Sequence, residues 1–272
     1  MRSTITSSGL TLSFVDHGQG PAFIFQHGLG ANANQPLEVM PETVRKIVLE
    51  CRGHGSSELG PEDQLSIKHF SRDLSALIKH LNLSRPIIGG ISMGAAITLK
   101  YAIENPKRIS ALVLARPAWV TEKAPENMQI FESAAEFMTR AADGRELFRH
   151  TPEFLSLQSH STDNANSVLG QFGAEDLSSR SKILHAIAKD GPGIDRRDLE
   201  VLKHLPVLII GCAFDQIHPI SMAHELARLI PAARFVEITS KSVSKLRYVK
   251  EFKHALTDFV TSYVNQEEHN DV

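Results

Sequence analysis

Short apolar runs rich in β-branched residues alternate with amphipathic segments along most of this chain. Runs that predict strands lie at residues 10–15, 22–25, 46–49, 86–89, 111–114, 207–210 and 234–238, with one more near residue 5. Residues 70–81 carry the apolar stripe of an amphipathic helix. Strands that alternate with helices indicate an α/β fold, in which a mostly parallel central sheet is covered by helices on both faces.

The strand pattern stops for a long stretch in the second half of the chain. Residues 119–203 read instead as short helices joined by polar, glycine-containing loops. We therefore predict two parts: an α/β core formed by residues 1–118 and 204–272, and a helical cap formed by residues 119–203.

Composition narrows the possible partners. A chain of 272 residues with 42% apolar residues can bury a sizeable core. Its formal charge of -2, with no Lys/Arg-rich run, argues against nucleic acid as a partner. The first residues lack an apolar signal sequence, and no stretch approaches the roughly 18 apolar residues of a membrane span, so we expect a soluble cytoplasmic protein. The oligomeric state stays open.

The segment Gly90-Ile91-Ser92-Met93-Gly94 follows a predicted strand and precedes a predicted helix. Two glycines at this spacing allow a tight strand-to-helix turn that leaves the serine hydroxyl free, with the helix N-terminus close behind it. The motif is short, and its context is what favours a nucleophile over an ordinary packing turn. Ser92 is thus the predicted nucleophile.

Two other strand ends supply groups that such a serine needs. The strand at 22–25 ends in a glycine-containing turn, where the amide of Leu29, together with that of Met93, could bind an oxyanion. The strand at 207–210 is followed by Asp215, which is either a catalytic carboxylate or a simple turn aspartate.

With these residues in view, the chain resembles the α/β-hydrolase superfamily from about residue 10 to residue 264. The likeness includes His27-Gly28, the turn at 52–57, the serine elbow, the cap insertion and Asp215. It implies that Ser92 is the nucleophile, that Asp215 orients a histidine, and that His27 shapes the oxyanion loop. A serine rather than an aspartate at the elbow argues against the dehalogenase and epoxide-hydrolase branches.

The family's catalytic histidine follows the last strand, but residues 239–248 contain no histidine. Lys241 or Ser242 stands in its place. His218, three residues after Asp215, is the best alternative base, although its side chain must fold back between acid and serine. Lys241 could act only if its pKa were lowered by several units, and a solvated surface lysine is the simpler interpretation.

Arg116 and Trp119 follow the strand at 111–114, next to the expected cleft. We group them with His27 as predicted substrate-binding residues. The guanidinium of Arg116 could hold a substrate carboxylate or could equally pair with a structural carboxylate. The histidines are too scattered to predict a metal site, and no cofactor is indicated.

The sequence predicts a serine hydrolase that acts on a small ester or related acyl substrate with an atypical base. Loss of the usual histidine also leaves room for a catalytically weak or inactive protein that binds a small molecule. A third alternative is lyase or proton-transfer chemistry on the same scaffold, in which Arg116 and His27 matter more than Ser92.

Overall fold

The computed structural model describes residues 2–140 and 143–270, and in them eight strands form one sheet. The strands are β1 (Arg2–Ser7), β2 (Leu10–His17), β3 (Ala22–Gln26), β4 (Arg45–Leu49), β5 (Ile87–Ile91), β6 (Ala111–Ala115), β7 (Val207–Gly211) and β8 (Ala233–Glu237). Their order across the sheet is β1-β2-β4-β3-β5-β6-β7-β8. Strands β1, β2 and β4 pair antiparallel, and all other pairs are parallel.

The central strands β5, β6 and β7 are buried along their whole length, as expected for parallel strands covered on both faces. The helices of the core are α1 (Asn34–Val39), α2 (Ile67–His80), α3 (Met93–Glu104), α9 (Ile220–Leu229) and α10 (Lys245–Asn270). Residues of α2, α3 and α9 pack in one apolar cluster, and residues of α1 and α10 in another. The predicted α/β class, with a mostly parallel sheet between helical layers, is confirmed.

Between β6 and β7 the described residues form helices only. These are α4 (Gln129–Arg140), α5 (Gly144–Arg149), α6 (Pro152–His160), α7 (Thr162–Gly170) and α8 (Leu177–Ala188), with short 3-10 turns around them. We call residues 119–203 the cap segment; its division from the core stays a prediction. Among the described helices, none is both long enough and apolar enough to cross a membrane.

The sheet topology decides where the site can form. Ser92, Arg116 and Asp215 follow β5, β6 and β7, which are neighbours and run parallel. The loop after β3 lies beside β5 on the other side. Four successive strand ends therefore bring the predicted site residues to one edge of the sheet.

Candidate active site

Ser92 adopts a backbone conformation that non-glycine residues rarely occupy. Its φ is 56° and its ψ is -113°, and such strain costs about 1–3 kcal/mol. Its amide donates to the carbonyl oxygen of Ala115 at 3.0 Å, which ties the turn to β6. A Cβ on Gly90 would collide with the backbone of Gly94, and a Cβ on Gly94 would collide with Gln26. Both elbow glycines are therefore required by the close packing of this turn.

The hydroxyl of Ser92 remains open. The residue is 8% exposed, and its Oγ makes no hydrogen bond to a described residue. The oxygen is nevertheless not sealed inside the protein, so it keeps contact with solvent. Such an atom is accessible to a small substrate.

The loop after β3, residues 27–33, carries the predicted oxyanion donor Leu29, and we call it the oxyanion loop. It approaches Ser92 through Gly28, where a Cβ would lie 3.5 Å from the Ser92 Cβ. The amide of Gly28 donates to Gln35 Oε1 at 2.7 Å, and the amide of Gly30 donates to His54 Nε2 at 3.0 Å. The amide of Leu29 between them donates to no acceptor in the described part of the chain, nor does that of Met93. The two predicted oxyanion donors are thus unused in the fold.

His27 is fully buried beneath this loop. Its Nδ1 lies 2.8 Å from the carbonyl oxygen of Gly28, and its Nε2 lies 3.0 Å from the amide of Cys51. These partners require a hydrogen on Nδ1 and a lone pair on Nε2. Burial lowers the pKa of His27 to about 4, so the ring is neutral. Both ring nitrogens are hydrogen-bonded to backbone groups, so His27 stabilises the conformation of this loop.

On the other side of the site, Asp215 is paired at both oxygens. Oδ1 accepts from the amide of His218 at 3.0 Å and lies 2.8 Å from its Nδ1. Oδ2 accepts from Arg116 Nε at 2.7 Å and from Cys212 Sγ at 3.5 Å. Burial acts to raise the pKa of Asp215, but the charge of Arg116 and the hydrogen bonds from His218 and Arg116 hold it well below its usual range. Asp215 is therefore a carboxylate at neutral pH.

His218 is the histidine that the structure joins to this acid. Its side chain is 10% exposed. Burial lowers its pKa, although Asp215 opposes the shift. A neutral ring that donates Nδ1–H to Asp215 leaves a lone pair on Nε2, which is the state a general base needs. No hydrogen bond links this nitrogen to Ser92 among the described residues.

Arg116 donates hydrogen bonds to two carboxylates. Besides Asp215, its Nη2 reaches Asp163 of the cap segment at 3.3 Å, and its guanidinium lies 5.6 Å from the ring centroid of Tyr248. The side chain is buried, and its own φ is 45°. Of the two roles that the sequence left open, ion pairing with structural carboxylates is the one seen here.

Trp119 is also enclosed by protein. It is 2% exposed, and its Nε1 donates to the carbonyl oxygen of Asp190 at 3.0 Å. The carboxylate of Asp190 in turn accepts from the amide of Ile67 at the start of α2. Trp119 thus holds Asp190, whose carboxylate links the cap segment to the core.

The loop after β8, where the family histidine is missing, is used for contacts with the cap segment. Ser242 Oγ accepts from the amide of Asp163 at 3.1 Å. Lys241 is half-buried, with Nζ 4.9 Å from the ring centroid of Tyr248. Burial, followed by the nearby charge of Arg116, lowers the pKa of Lys241. Lys241 is thus less solvated than a surface lysine.

A cavity of about 1040 Å³ opens between the cap segment and the loop after β7. Asp215, Cys212 and Ile217 line its core side, and Ile130 and Leu157 line its cap side. Ser92 is not part of the described lining, so this cavity adjoins the acid rather than the serine. Within the described ranges, no three His, Cys, Asp or Glu side chains are grouped to hold a metal ion.

Three polar residues of the cap segment lie near the site, although no motif in the sequence predicts this. Asp163 pairs with Arg116, while Gln171 and Arg180 each bury a polar atom that has no partner. Their positions depend on how the short cap helices pack, which periodicity alone does not fix. Only the contacts of the folded chain bring them to notice.

Comparisons with known proteins identify the family of the chain. The family model described as "alpha/beta hydrolase fold" matches residues 21–241. The chain is 25% identical over 265 residues to 3-oxoadipate enol-lactonase 2 of Acinetobacter baylyi, covering 94% of this chain and 95% of that protein.

Two solved structures show the same fold. A thermophilic esterase from Thermogutta terrifontis has a TM-score of 0.74 at 22% identity, covering 97% of this chain and 99% of that one. The enol-lactonase from Burkholderia xenovorans has a TM-score of 0.73 at 20% identity, covering 95% and 100%. The chain therefore belongs to the alpha/beta hydrolase fold family.

Proposed function

We propose that this protein hydrolyses a small carboxylic ester or lactone, with Ser92 as the nucleophile. The observation that carries the proposal is the strained, solvent-accessible hydroxyl of Ser92 beside the two unused amides of Leu29 and Met93. Strain of this kind persists where the surrounding structure imposes it, which is common at reactive residues. An enol-lactonase relative and an esterase fold neighbour support the same class of reaction.

In the proposed first step, Ser92 Oγ attacks the carbonyl carbon and gives its proton to His218 Nε2. The carbonyl oxygen becomes an oxyanion, which accepts hydrogen bonds from the amides of Leu29 and Met93. Asp215 stabilises the imidazolium that forms. The tetrahedral intermediate then expels the alcohol oxygen, which takes the proton from His218, and an acyl-serine remains.

The second step releases the acid. His218 takes a proton from water, whose oxygen attacks the acyl carbon of the ester on Ser92. The new oxyanion uses the same two amides, and its collapse returns the proton to Ser92 Oγ. For the first transfer the imidazole must approach the serine, since catalytic hydrogen bonds often tighten only when substrate is bound.

A second candidate function is binding of a small molecule without efficient turnover. The observation that favours it is the absence of a hydrogen bond between Ser92 Oγ and any base in the described residues. Without a base, a serine site of this kind loses about a million-fold in turnover, roughly 8 kcal/mol. The same fold would then serve as a ligand pocket.

The test is labelling with a fluorophosphonate probe, followed by mass mapping of the adduct. Our proposal predicts fast modification of Ser92, no modification in Ser92→Ala, and full modification in the exposed control Ser221→Ala. No reaction in the wild-type protein, together with thermal stabilisation by small esters or acids, would contradict hydrolysis and favour binding.

A further inference from the structure

Helix α8 of the cap segment packs over the turn beside the oxyanion loop. A Cβ on Gly53 would press into the side chain of Ile183, so this residue of α8 packs directly on the backbone of the turn. Arg180 lies one turn before Ile183 on the same face of this helix. His54 of the same turn holds the amide of Gly30. Arg180 therefore faces the structure that carries the predicted oxyanion donors.

Electrostatics places Arg180 near this loop as well. Burial is the main cause of the lowered pKa of His27 and of His54, and the positive charge of Arg180 lowers both further. The two rings lie 4.9 Å apart, centroid to centroid. The guanidinium is thus close to both histidines beneath the loop.

Arg180 has no partner of its own in the part of the chain that the structure describes. Its Nη1 is buried without a hydrogen bond, and no carboxylate lies within ion-pair distance. Burial lowers its pKa with no acidic neighbour to oppose the shift. The lysines of the same region differ, since Lys182 pairs with Glu62 and Lys189 pairs with Glu132. Arg180 is only partly buried, so its other guanidinium nitrogens stay open to a ligand, and a partly desolvated cation that lacks an anion is costly to a fold.

Gln171 presents a second unsatisfied group at the same place. It is 8% exposed, and its Nε2 donates to the carbonyl oxygen of Ser167 at 3.2 Å. Its Oε1 is buried without a donor and lies against Gly30, in the space that a Cβ there would need. The cap segment thus sets a cation without an anion, and a sealed amide oxygen without a donor, against the loop after β3.

We propose that Arg180 binds a carboxylate of the substrate, so that the ester or lactone cleaved at Ser92 carries a negative charge. This inference rests on the proposed function. The guanidinium suits the role because it presents paired donors in a plane that matches a carboxylate. Arg116, by contrast, is already paired with Asp215 and Asp163.

The experiment compares two chromogenic esters of matched size, p-nitrophenyl hydrogen glutarate and p-nitrophenyl valerate. The wild-type protein should prefer the anionic ester in kcat/KM. Arg180→Met should lower kcat/KM for the anionic ester about 30-fold, mainly through KM, and change the neutral ester less than about threefold. The matched control Arg149→Met, at an exposed arginine of α5, should leave both rates unchanged.

Glutarate binding gives a readout that does not depend on catalysis. Glutarate should raise the melting temperature of the wild-type protein and not that of Arg180→Met. Without ligand, Arg180→Met should be at least as stable as wild type to urea, because the lost guanidinium has no protein partner. An equal loss for both esters, or lower stability of the variant, would overturn the role of Arg180.

The two proposals fail in different ways. If neither ester is cleaved while glutarate still stabilises only the protein with Arg180, the hydrolytic function is wrong and the carboxylate site stands. If both esters are cleaved equally well and glutarate has no effect, the carboxylate site is wrong and the hydrolase stands.

Discussion

The two halves of the candidate site differ in how their polar groups are used. Around Asp215, each carboxylate oxygen accepts hydrogen bonds, and Arg116 links this acid to Asp163 of the cap segment. Around Ser92, the hydroxyl and the amides of Leu29 and Met93 have no hydrogen-bond partner among the residues that the structure describes. Both halves lie at the same edge of the same sheet, so the difference does not come from their place in the sheet.

This difference suggests two roles. The half around Asp215 is fixed by its own hydrogen bonds, and the half around Ser92 has polar groups that a ligand can bind. A paired, buried carboxylate keeps its position and charge, as a group that orients a histidine must. Unpaired donors at a strained turn are costly to the folded protein, and in the proposed mechanism they gain partners when an oxyanion forms. The predictions below break one half at a time.

The largest effect, on kcat/KM, is expected at His218, the proposed base between Asp215 and Ser92. His218→Gln should lower kcat/KM for a short acyl ester by at least about a thousand-fold, because it removes the proposed base. Lys241→Met should lower it less than about threefold. Steady-state kinetics on both variants decide between the two candidate bases. A large loss in Lys241→Met with an unchanged rate in His218→Gln would reverse the assignment.

The next effect concerns the paired half alone. Arg116→Met should lower the free energy of unfolding by about 3–5 kcal/mol, since it leaves Asp215 buried with one partner fewer. The double variant Arg116→Met/Asp215→Asn should recover part of this loss. Urea unfolding measures both. The exposed control Arg140→Met, which breaks a surface pair with Glu136, should cost less than about 1 kcal/mol. Equal costs for Arg116 and Arg140 would contradict the buried pairing.

The contribution of His27, beneath the oxyanion loop, to the free energy of unfolding should depend on pH. The pKa of His27 falls from 6.5 in the unfolded chain to about 4 in the folded protein. Between these values the unfolded chain binds a proton that the folded protein excludes, so stability falls as pH drops from 6.5 to 4, by up to about 3 kcal/mol from this residue. His27→Gln should flatten the curve of unfolding free energy against pH, and the exposed control His254→Gln should not. Curves of equal slope would contradict a buried neutral His27.

The smallest effect tests the loop after β8. Ser242→Ala removes the hydroxyl that accepts from the amide of Asp163, and it should cost about 1 kcal/mol of stability. We expect kcat to stay unchanged, because this serine contacts the cap segment rather than Ser92. A loss of kcat with unchanged stability would give Ser242 a part in the chemistry.

Sequence reasoning was strongest where one strand or one turn determines the structure. The strands of the sheet and the elbow at Ser92 follow from local patterns of apolar residues and glycines, and the predicted fold class is confirmed. Arg116 illustrates the limit. Its role depends on Asp163, a residue 47 positions away on a cap helix, and no local pattern specifies that contact.

The cap residues show the same limit more clearly. Arg180 and Gln171 are an ordinary arginine and glutamine in the sequence, and only the folded contacts reveal that each buries one polar atom without a partner among the described residues. His27 differs again, because its position was predictable while the use of both its nitrogens by backbone was not. Long-range side-chain pairing, rather than secondary structure, is what sequence could not supply.

The most direct test of the central claim is to trap the covalent intermediate. The protein is mixed with p-nitrophenyl acetate, quenched in acid during the first turnover and digested for mass spectrometry. Our account predicts an acetyl group on the peptide that contains Ser92, formed together with a burst of p-nitrophenol, and neither in Ser92→Ala. Turnover of the ester at the wild-type rate by Ser92→Ala, with no acylated serine in either protein, would contradict it.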